Sequence, residues 1–333
     1  MKKRAIRLTV QLAVVVAGLV IVSRQLDWRD VAALAADANP RMLLCALAAI
    51  LCEPFCVAAK WRVLLVRNQV HVDYLTVLRT IFTSNFLAIL MPTGAGADAL
   101  RVCLLKRREF QLSTITGTLL ADRFVALTCL ALLSLTGIPF AWPHVAKPGG
   151  LISAGVTAGI VLAGTAFIVS PAGIALVRWS ERKAGLIPGG GWFTKLAGFI
   201  ARTHEVLASV ARKPDLLAQI FALNLVVQLL RVAQICFLFI ALGSMPPLLY
   251  ALASIPIIVL LTLLPITPYG FAVKENAFIY FFAAVGMADS MSVAVSVLTY
   301  PLILVALLPG VAFFLTGTRI RLDELKTEET TAK

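Results

Sequence analysis

Charged residues and histidine are scarce in this chain, and their scarcity excludes most classes of soluble protein. Of 333 residues only 14% are charged and three are histidines, whereas 60% are hydrophobic and the mean hydropathy is +0.91. A soluble domain of this length could not bury so many apolar segments. The composition is typical of helical proteins that cross a membrane several times. We therefore expect an all-α polytopic membrane protein.

The residues that usually build catalytic or metal sites do not cluster in the sequence. The six cysteines contain no CxxC pair, and the histidines lie apart from one another at His71, His144 and His204. Core packing is the favoured interpretation of the cysteines. No Walker A sequence is present, so ATP-driven transport is not expected. The sequence predicts no enzyme activity, no catalytic constellation, no metal site and no cofactor.

The chain has 17 acidic and 30 basic residues. The positions of the basic residues indicate whether this excess serves membrane orientation or nucleic-acid binding. The basic residues concentrate in particular loops, a pattern that orients membrane proteins and does not favour a nucleic-acid partner. Lys2, Lys3, Arg4 and Arg7 precede the first apolar segment and place the N-terminus in the cytoplasm. Because no Ala-x-Ala-like cleavage site follows that segment, we expect it to remain as a helix. The prediction is a multi-pass protein of a bacterial-type inner (plasma) membrane with both termini cytoplasmic.

One pattern occurs twice: an apolar run ends at proline, a turn of small residues follows, and a base lies nine positions after the proline. The first copy runs from Leu90 to Arg101, and the second runs from Leu263 to Glu275. Each copy interrupts hydrophobic sequence that is too short to span a bilayer twice. Broken helices at matching positions in two halves are the best sequence indication of a transport site.

Loop charges predict how the two copies lie in the membrane. Basic residues flank the first copy on both sides, so we expect a re-entrant hairpin that enters from the cytoplasm; the second copy enters from outside. The resulting fold is about six full transmembrane helices plus two re-entrant helical hairpins, arranged as an inverted repeat. In the span after each hairpin, Ser113 and Arg123 lie ten apart, as do Ser290 and Tyr300.

The predicted domain organisation follows from this topology. Residues 1–317 form a single transmembrane domain, with repeat 1 at about 42–141 and repeat 2 at about 216–316. A basic segment at about 171–214 links the repeats as cytoplasmic amphipathic helices. Residues 318–333 form a polar cytoplasmic tail.

These residues resemble the lysylphosphatidylglycerol synthase transmembrane family, also called flippase-like domain proteins. The resemblance covers about Leu8 to Thr316 and rests on three segments: the Pro-x-x-Gly-type turn with the following Asp98 and Arg101, the later Pro-x-x-x-x-Gly-x-x-x-Lys-Glu, and Gly286-Met-Ala-Asp. The chain departs from the family pattern at Lys274, where arginine is expected, and at Pro268-Tyr269, which replaces a more glycine-rich turn. The soluble aminoacyl-transferase domain is not expected. The resemblance therefore implies a stand-alone member that translocates a lipid.

The doubled turn has the chemistry of an anion site. A turn of small residues leaves backbone N–H groups free, and a half-helix that starts there points its positive end at the turn. An arginine clamps phosphate bidentately, whereas a lysine acts as a point charge, and nearby carboxylates orient those bases or carry coupling protons. The alternative is that the prolines merely kink helices while the bases snorkel to the interface. The candidate residues for binding a lipid head group are Pro92, Gly94, Gly96, Asp98, Arg101, Pro265, Gly270, Lys274 and Glu275.

Further ionisable residues lie within apolar segments, where a charge is costly and must face a cavity or a partner. These candidates for a polar cavity are Glu53, Asp122, Arg123 and Arg231. Two interpretations stay open for the arginines: a role in a cavity, or structural pairing with Asp122, Asp98 or Glu275. Glu53 is interpreted as a counter-ion to a base such as Arg79, with a proton carrier as the alternative.

The function expected from these features is translocation of an anionic lipid between leaflets through a cavity between the two hairpins. The lipid is a phospholipid or a lipid of a polyisoprenyl or hopanoid pathway. Its partners are membrane lipids with an anionic head group, and a homodimer or an association with a lipid-modifying enzyme stays open. The alternatives are a membrane-embedded enzyme or accessory subunit of a lipid-modifying pathway, or a secondary transporter for a small anion.

Overall fold

The computed structural model describes residues 28–89, 96–105, 111–141, 191–263 and 273–316, together with isolated positions between 155 and 175. Within this part of the chain the secondary structure is helical and contains no strand, which confirms the all-α prediction. Four described stretches are long and apolar enough to cross a membrane: Pro40–Arg67, Leu112–Gly137, Pro214–Ala241 and Asp289–Thr316. The chain is therefore a multi-pass membrane protein. The first predicted span, most of residues 142–190 and the predicted turns of both hairpins lie outside the described residues.

The first half opens with a short helix, α1 (Trp28–Ala36), and continues with the long helix α2 (Pro40–Arg67). The start of α2 is fixed locally, because the Asn39 Oδ1 accepts a hydrogen bond from the Arg41 N–H at 3.0 Å and proline occupies the first helical position. The next helices are α3 (Tyr74–Ile89), α4 (Gly96–Leu105) and α5 (Leu112–Ala141).

The second half repeats this order. Helix α6 (Gly191–Ala211) lies in the segment expected to be a linker. The helices that follow are α7 (Pro214–Ala241), α8 (Leu248–Leu263), α9 (Val273–Ala283), α10 (Asp289–Ala306) and α11 (Leu308–Thr316). The two long helices match in length, since α2 and α7 have 28 residues each.

Two close helix crossings connect the halves. At Gly137 on α5 an added Cβ would lie 2.2 Å from the Cβ of Ala253 on α8, and at Gly310 on α11 it would lie 2.4 Å from the carbonyl oxygen of Phe82 on α3. In each crossing the last described helix of one half packs against the 16-residue helix of the other half, α5 against α8 and α11 against α3. Only glycine permits backbones to approach this closely.

The predicted hairpins fall on α3 with α4 and on α8 with α9. Helix α4 begins directly after the first small-residue turn, and α9 begins directly after the second. Apolar packing holds α9 in place, because Phe278 and Phe282 are buried against Phe239 on α7 and Tyr250 on α8. The helices thus present the first residues after each turn at fixed positions.

Candidate functional site

Asp98, in the first turn of α4, holds two arginines. Arg101 Nη1 lies 3.0 Å from the Asp98 Oδ1. Arg123, on α5, binds the same carboxylate through both oxygens: its Nε lies 2.8 Å from Oδ2 and its Nη2 lies 2.9 Å from Oδ1. A bidentate arginine–carboxylate pair is stronger and more directional than a single contact. Of the two interpretations left open for Arg123, the structure shows the pairing with Asp98.

Arg101 also ties α4 to α3. Its Nη2 donates to the Asn85 Oδ1 at 2.9 Å, and its Nε donates to the Ser84 Oγ at 3.3 Å. The arginine is 7% exposed, so three neighbouring acceptors replace the water that it loses on burial. The Arg101 guanidinium therefore joins α4 to α3, the two helices of the first predicted hairpin.

Lys60 on α2 forms a second buried contact that the sequence did not single out. Its Nζ lies 2.9 Å from the Asp122 Oδ1 on α5 and donates to the Asn224 Oδ1 on α7 at 2.7 Å. The side chains of Lys60 and Asp122 are 4% and 8% exposed. Lys60 directly follows the apolar sequence from Met42 to Ala59, a position at which a basic residue favours a cytoplasmic loop. The signal that could have found it is its position seven residues after Glu53, which places both on one face of a helix.

Glu53 on α2 pairs with Arg231 on α7: both Nε and Nη2 of the arginine donate to the Glu53 Oε1, with the Nε at 3.1 Å. The interpretation of Glu53 as a counter-ion holds, but the expected partner Arg79 is wrong. Arg79 lies on the exposed side of α3, where its guanidinium carbon is 5.7 Å from the centroid of the Phe313 ring. Arg231 is paired, as one of its two interpretations expects, but its direct partner is Glu53 and not Asp122, Asp98 or Glu275. Helices α2 and α7 pack along their length, which brings Glu53 and Arg231 together.

We call these seven charged residues on four helices the polar cluster: Glu53, Lys60, Asp98, Arg101, Asp122, Arg123 and Arg231. Its members interact electrostatically beyond their direct contacts, because Arg101 lies in the fields of Glu53 and Asp122, and Arg231 lies in those of Arg123 and Asp122. Such a network inside apolar helices is expected only where charges are paired or serve a function.

The second motif builds a different environment around Glu275. The Glu275 Oε1 accepts hydrogen bonds from the Tyr300 hydroxyl at 2.9 Å and from the Ser296 hydroxyl at 3.1 Å. The Lys274 ammonium lies 4.7 Å from the centroid of the Tyr300 ring, within the range of a cation–π contact. Glu275 is 3% exposed, so α10 buries the carboxylate of α9.

The two motifs share one spacing. Asp98 contacts Arg123 and Glu275 contacts Tyr300, and in each pair the residues lie 25 positions apart. In both halves, the span after the hairpin thus binds the acid that follows the turn. Of the remaining candidates, Gly96 begins α4. Pro92, Gly94, Pro265 and Gly270 lie outside the described residues.

A cavity of about 700 Å³ lies between α5, α6 and α7. Its wall is apolar and includes Phe124, Val125 and Thr128 of α5 with Leu207 of α6 and Phe221 of α7. Arg123 is placed about half a helical turn away from this face of α5, so the cavity and the polar cluster lie on different sides of the helix. The cavity therefore differs from the polar one expected between the hairpins, whose turns lie outside the described residues.

The part of the chain that the structure describes contains no group of three histidine, cysteine, aspartate or glutamate residues that could hold a metal ion. The carboxylates of the polar cluster instead face arginine and lysine groups. The arrangement is suited to binding an anion by charge and hydrogen bonds.

Comparison with known proteins supplies the family. No curated protein and no solved structure matches the chain. The family model of the lysylphosphatidylglycerol synthase TM region matches residues 8–310, which include every described member of both motifs. The match spans nearly the whole sequence and agrees with the resemblance carried by the two motifs. The chain therefore belongs to the lysylphosphatidylglycerol synthase TM region family.

Proposed function

We propose that this protein moves an anionic lipid between the two leaflets of the membrane. The observation that carries the proposal is the contact of Asp98 with Arg101 and Arg123, which places two guanidinium groups beside the first turn within apolar helices. Charges at this depth are costly, so a cluster with an exposed member needs a functional reason. A phosphate head group that crosses the apolar interior of the membrane needs basic side chains to compensate its negative charge, and this cluster supplies them.

The proposed topology has six full spans and two re-entrant hairpins related by an inverted repeat. The equal lengths of α2 and α7 support it, as does the pair of glycine crossings in which each half contributes its last helix to the predicted hairpin of the other. Transporters of this kind bind substrate where broken helices of two repeats meet. We place the protein in a bacterial-type inner membrane with both termini in the cytoplasm.

In the proposed mechanism the head group enters between the hairpins while the acyl chains stay in the bilayer. The Arg123 side chain is 44% exposed and meets the phosphate first, whereas the Arg101 side chain is 9% exposed and keeps the carboxylate of Asp98 in place. On the opposite hairpin, Lys274 offers a point charge whose position is set by the ring of Tyr300. The head group passes from one base to the other, and no ATP site is needed.

A leaflet-exchange assay in proteoliposomes tests the proposal. The full chain is reconstituted with a fluorescent phosphatidylglycerol, and a membrane-impermeant reductant reports the fraction in the outer leaflet over time. We expect exchange with the wild-type protein and a loss of at least tenfold in rate for Arg101→Ala combined with Lys274→Ala. Arg67→Gln is the matched control, because Arg67 forms only an exposed pair with Asp215.

Four outcomes oppose the proposal. Wild-type rates in a folded double variant would overturn the assignment of the site. Uptake of a soluble anion without lipid exchange would favour a small-anion transporter. Chemical conversion of the added lipid would favour a membrane-embedded enzyme. A lipid exchange that appears only when a co-purified enzyme is present would make the chain an accessory subunit.

A further inference from the structure

We propose that the site selects head groups with a single negative charge, as in a phosphodiester lipid, over the doubly charged phosphomonoester lipids, and that Arg123 sets this preference. The inference rests on the proposed function and deepens it by naming the class of head group.

The charges of the polar cluster do not balance. Four cationic side chains face three carboxylates, which leaves an excess of one positive charge. Lys274 and Glu275 add one charge of each sign and do not change the excess. The segments 90–95 and 264–272, which include both turns, contain no charged residue in the sequence. Within the described residues the polar cluster therefore carries one positive charge that has no counter-ion, and an anionic ligand can supply that counter-ion.

The excess can be assigned to one place in the cluster. Lys60 faces Asp122, and Arg231 faces Glu53, so those contacts are matched one to one. Asp98 alone faces two cations, Arg101 and Arg123. The unbalanced positive charge thus lies beside Asp98, directly after the first turn.

Arg123 is the member of this triplet that a ligand can reach. Its side chain is 44% exposed, against 9% for Arg101. Asp98 accepts from the Nε and Nη2 of Arg123, and a guanidinium carries more N–H groups than these two. The remaining donors match the oxygens of a phosphate, so a ligand can bind without displacing Asp98.

Charge balance then separates lipid classes. A phosphodiester brings one negative charge and neutralises the cluster, whereas a fully ionised phosphomonoester brings two and leaves one negative charge uncompensated. A net charge is unfavourable inside a protein. Beside a partly exposed arginine, one unit of uncompensated charge changes the dissociation constant of the lipid by about tenfold. Neutral lipids leave the excess positive charge in place.

Native mass spectrometry of the purified full chain measures the preference. The probes are phosphatidylglycerol, phosphatidic acid at a pH where its monoester is fully ionised, and diacylglycerol. We expect the wild-type protein to bind phosphatidylglycerol most tightly. Arg123→Gln removes the excess charge and should weaken phosphatidylglycerol binding about tenfold. The control Arg67→Gln removes the same charge from an exposed site and should bind as the wild type does.

Neutralising an acid gives the opposite test. Glu53→Gln and Asp98→Asn each raise the excess from one to two positive charges, and each should raise the affinity for phosphatidic acid relative to phosphatidylglycerol about tenfold. Glu53→Gln lies on α2 and Asp98→Asn lies on α4. If one of the two variants does not fold, the other still gives the measurement.

The outcomes separate this inference from the proposed function. Wild-type binding by Arg123→Gln, or an unchanged lipid ratio in the folded acid variants, would overturn the inference even if lipid exchange occurs. If wild-type protein shows the preference but never exchanges lipid, the charge inference stands as a binding specificity and the translocation proposal fails.

Discussion

Glu53 and Arg231 lie 178 positions apart in the sequence and meet across the long packed pair of helices α2 and α7. Because these helices occupy the same place in the two halves, their ion pair joins the halves directly. The side chains are 23% and 34% exposed, so the pair is only partly shielded from its surroundings. Removing one partner leaves the other charge without its counter-ion.

We expect Glu53→Leu or Arg231→Met alone to destabilise the protein by about 1–3 kcal/mol, below the cost of breaking a fully buried pair. The double variant should lose less than the sum of the two single changes, with a coupling of about 1 kcal/mol or more. Equilibrium unfolding in detergent measures all four proteins of the cycle. Strict additivity would show that the contact contributes no net stability.

The Lys60–Asp122 contact should be more sensitive, because both side chains are almost completely buried. Lys60→Met leaves the Asp122 carboxylate buried without its cation, and we expect a loss of about 3–5 kcal/mol. The second change Asp122→Leu should restore much of this loss. Arg67→Met, which breaks an exposed pair, is the control and should cost about 1 kcal/mol or less. Similar losses for Lys60→Met and Arg67→Met would contradict the burial argument.

The glycine crossings should not tolerate a side chain. Gly137→Ala and Gly310→Ala each force a methyl group into a neighbouring helix, and we expect each to destabilise the protein by about 1–3 kcal/mol. Gly159→Ala is the control, since an added Cβ there meets nothing within 4 Å. Thermal unfolding compares the three. Ala253→Gly removes only the opposing methyl group and leaves the Ala253 Cα 2.4 Å from the added Cβ, so it should not restore the stability of Gly137→Ala; a full rescue would contradict the close backbone contact.

Tyr300 has two roles that substitution can separate. Tyr300→Phe removes the hydroxyl that donates to Glu275 but keeps the ring below Lys274, and it should cost about 1–2 kcal/mol of stability. Tyr300→Leu removes the ring as well. If the ring positions the Lys274 ammonium, Tyr300→Leu should exchange lipid more slowly than Tyr300→Phe in the liposome assay. The free energy of unfolding of both variants is measured in parallel, so that a loss of stability can be told from a loss of exchange. Equal lipid exchange in both variants would show that the ring has no such role.

The all-helical class and the long apolar segments could be predicted because they follow local rules. Pro40 and Pro214 begin the long helices, and long apolar runs follow them. Charge patterning also located the polar positions inside apolar segments. These features depend on a few neighbouring residues, which is why a single sequence reveals them.

Pairing between side chains was harder to predict. Asp98 and Asp122 are candidates from the sequence, whereas Lys60 directly follows the apolar run of α2 and gives no such signal. Arg79 is the partner expected for Glu53, whereas the observed partner Arg231 comes from the packing of α2 on α7. Partner choice depends on helix rotation and crossing, and a periodic pattern does not contain that information.

The crossing of Gly310 over Phe82 has a consequence for how the protein is made. Helix α3 emerges early in synthesis, but the helix that covers it, α11, is among the last parts of the described chain to be translated. Helix α3 therefore stays without this neighbour until residues 308–316 have been synthesised. A chain truncated before Leu308 would leave α3 without this neighbour, and we expect membrane proteases to degrade such a chain faster than the full one.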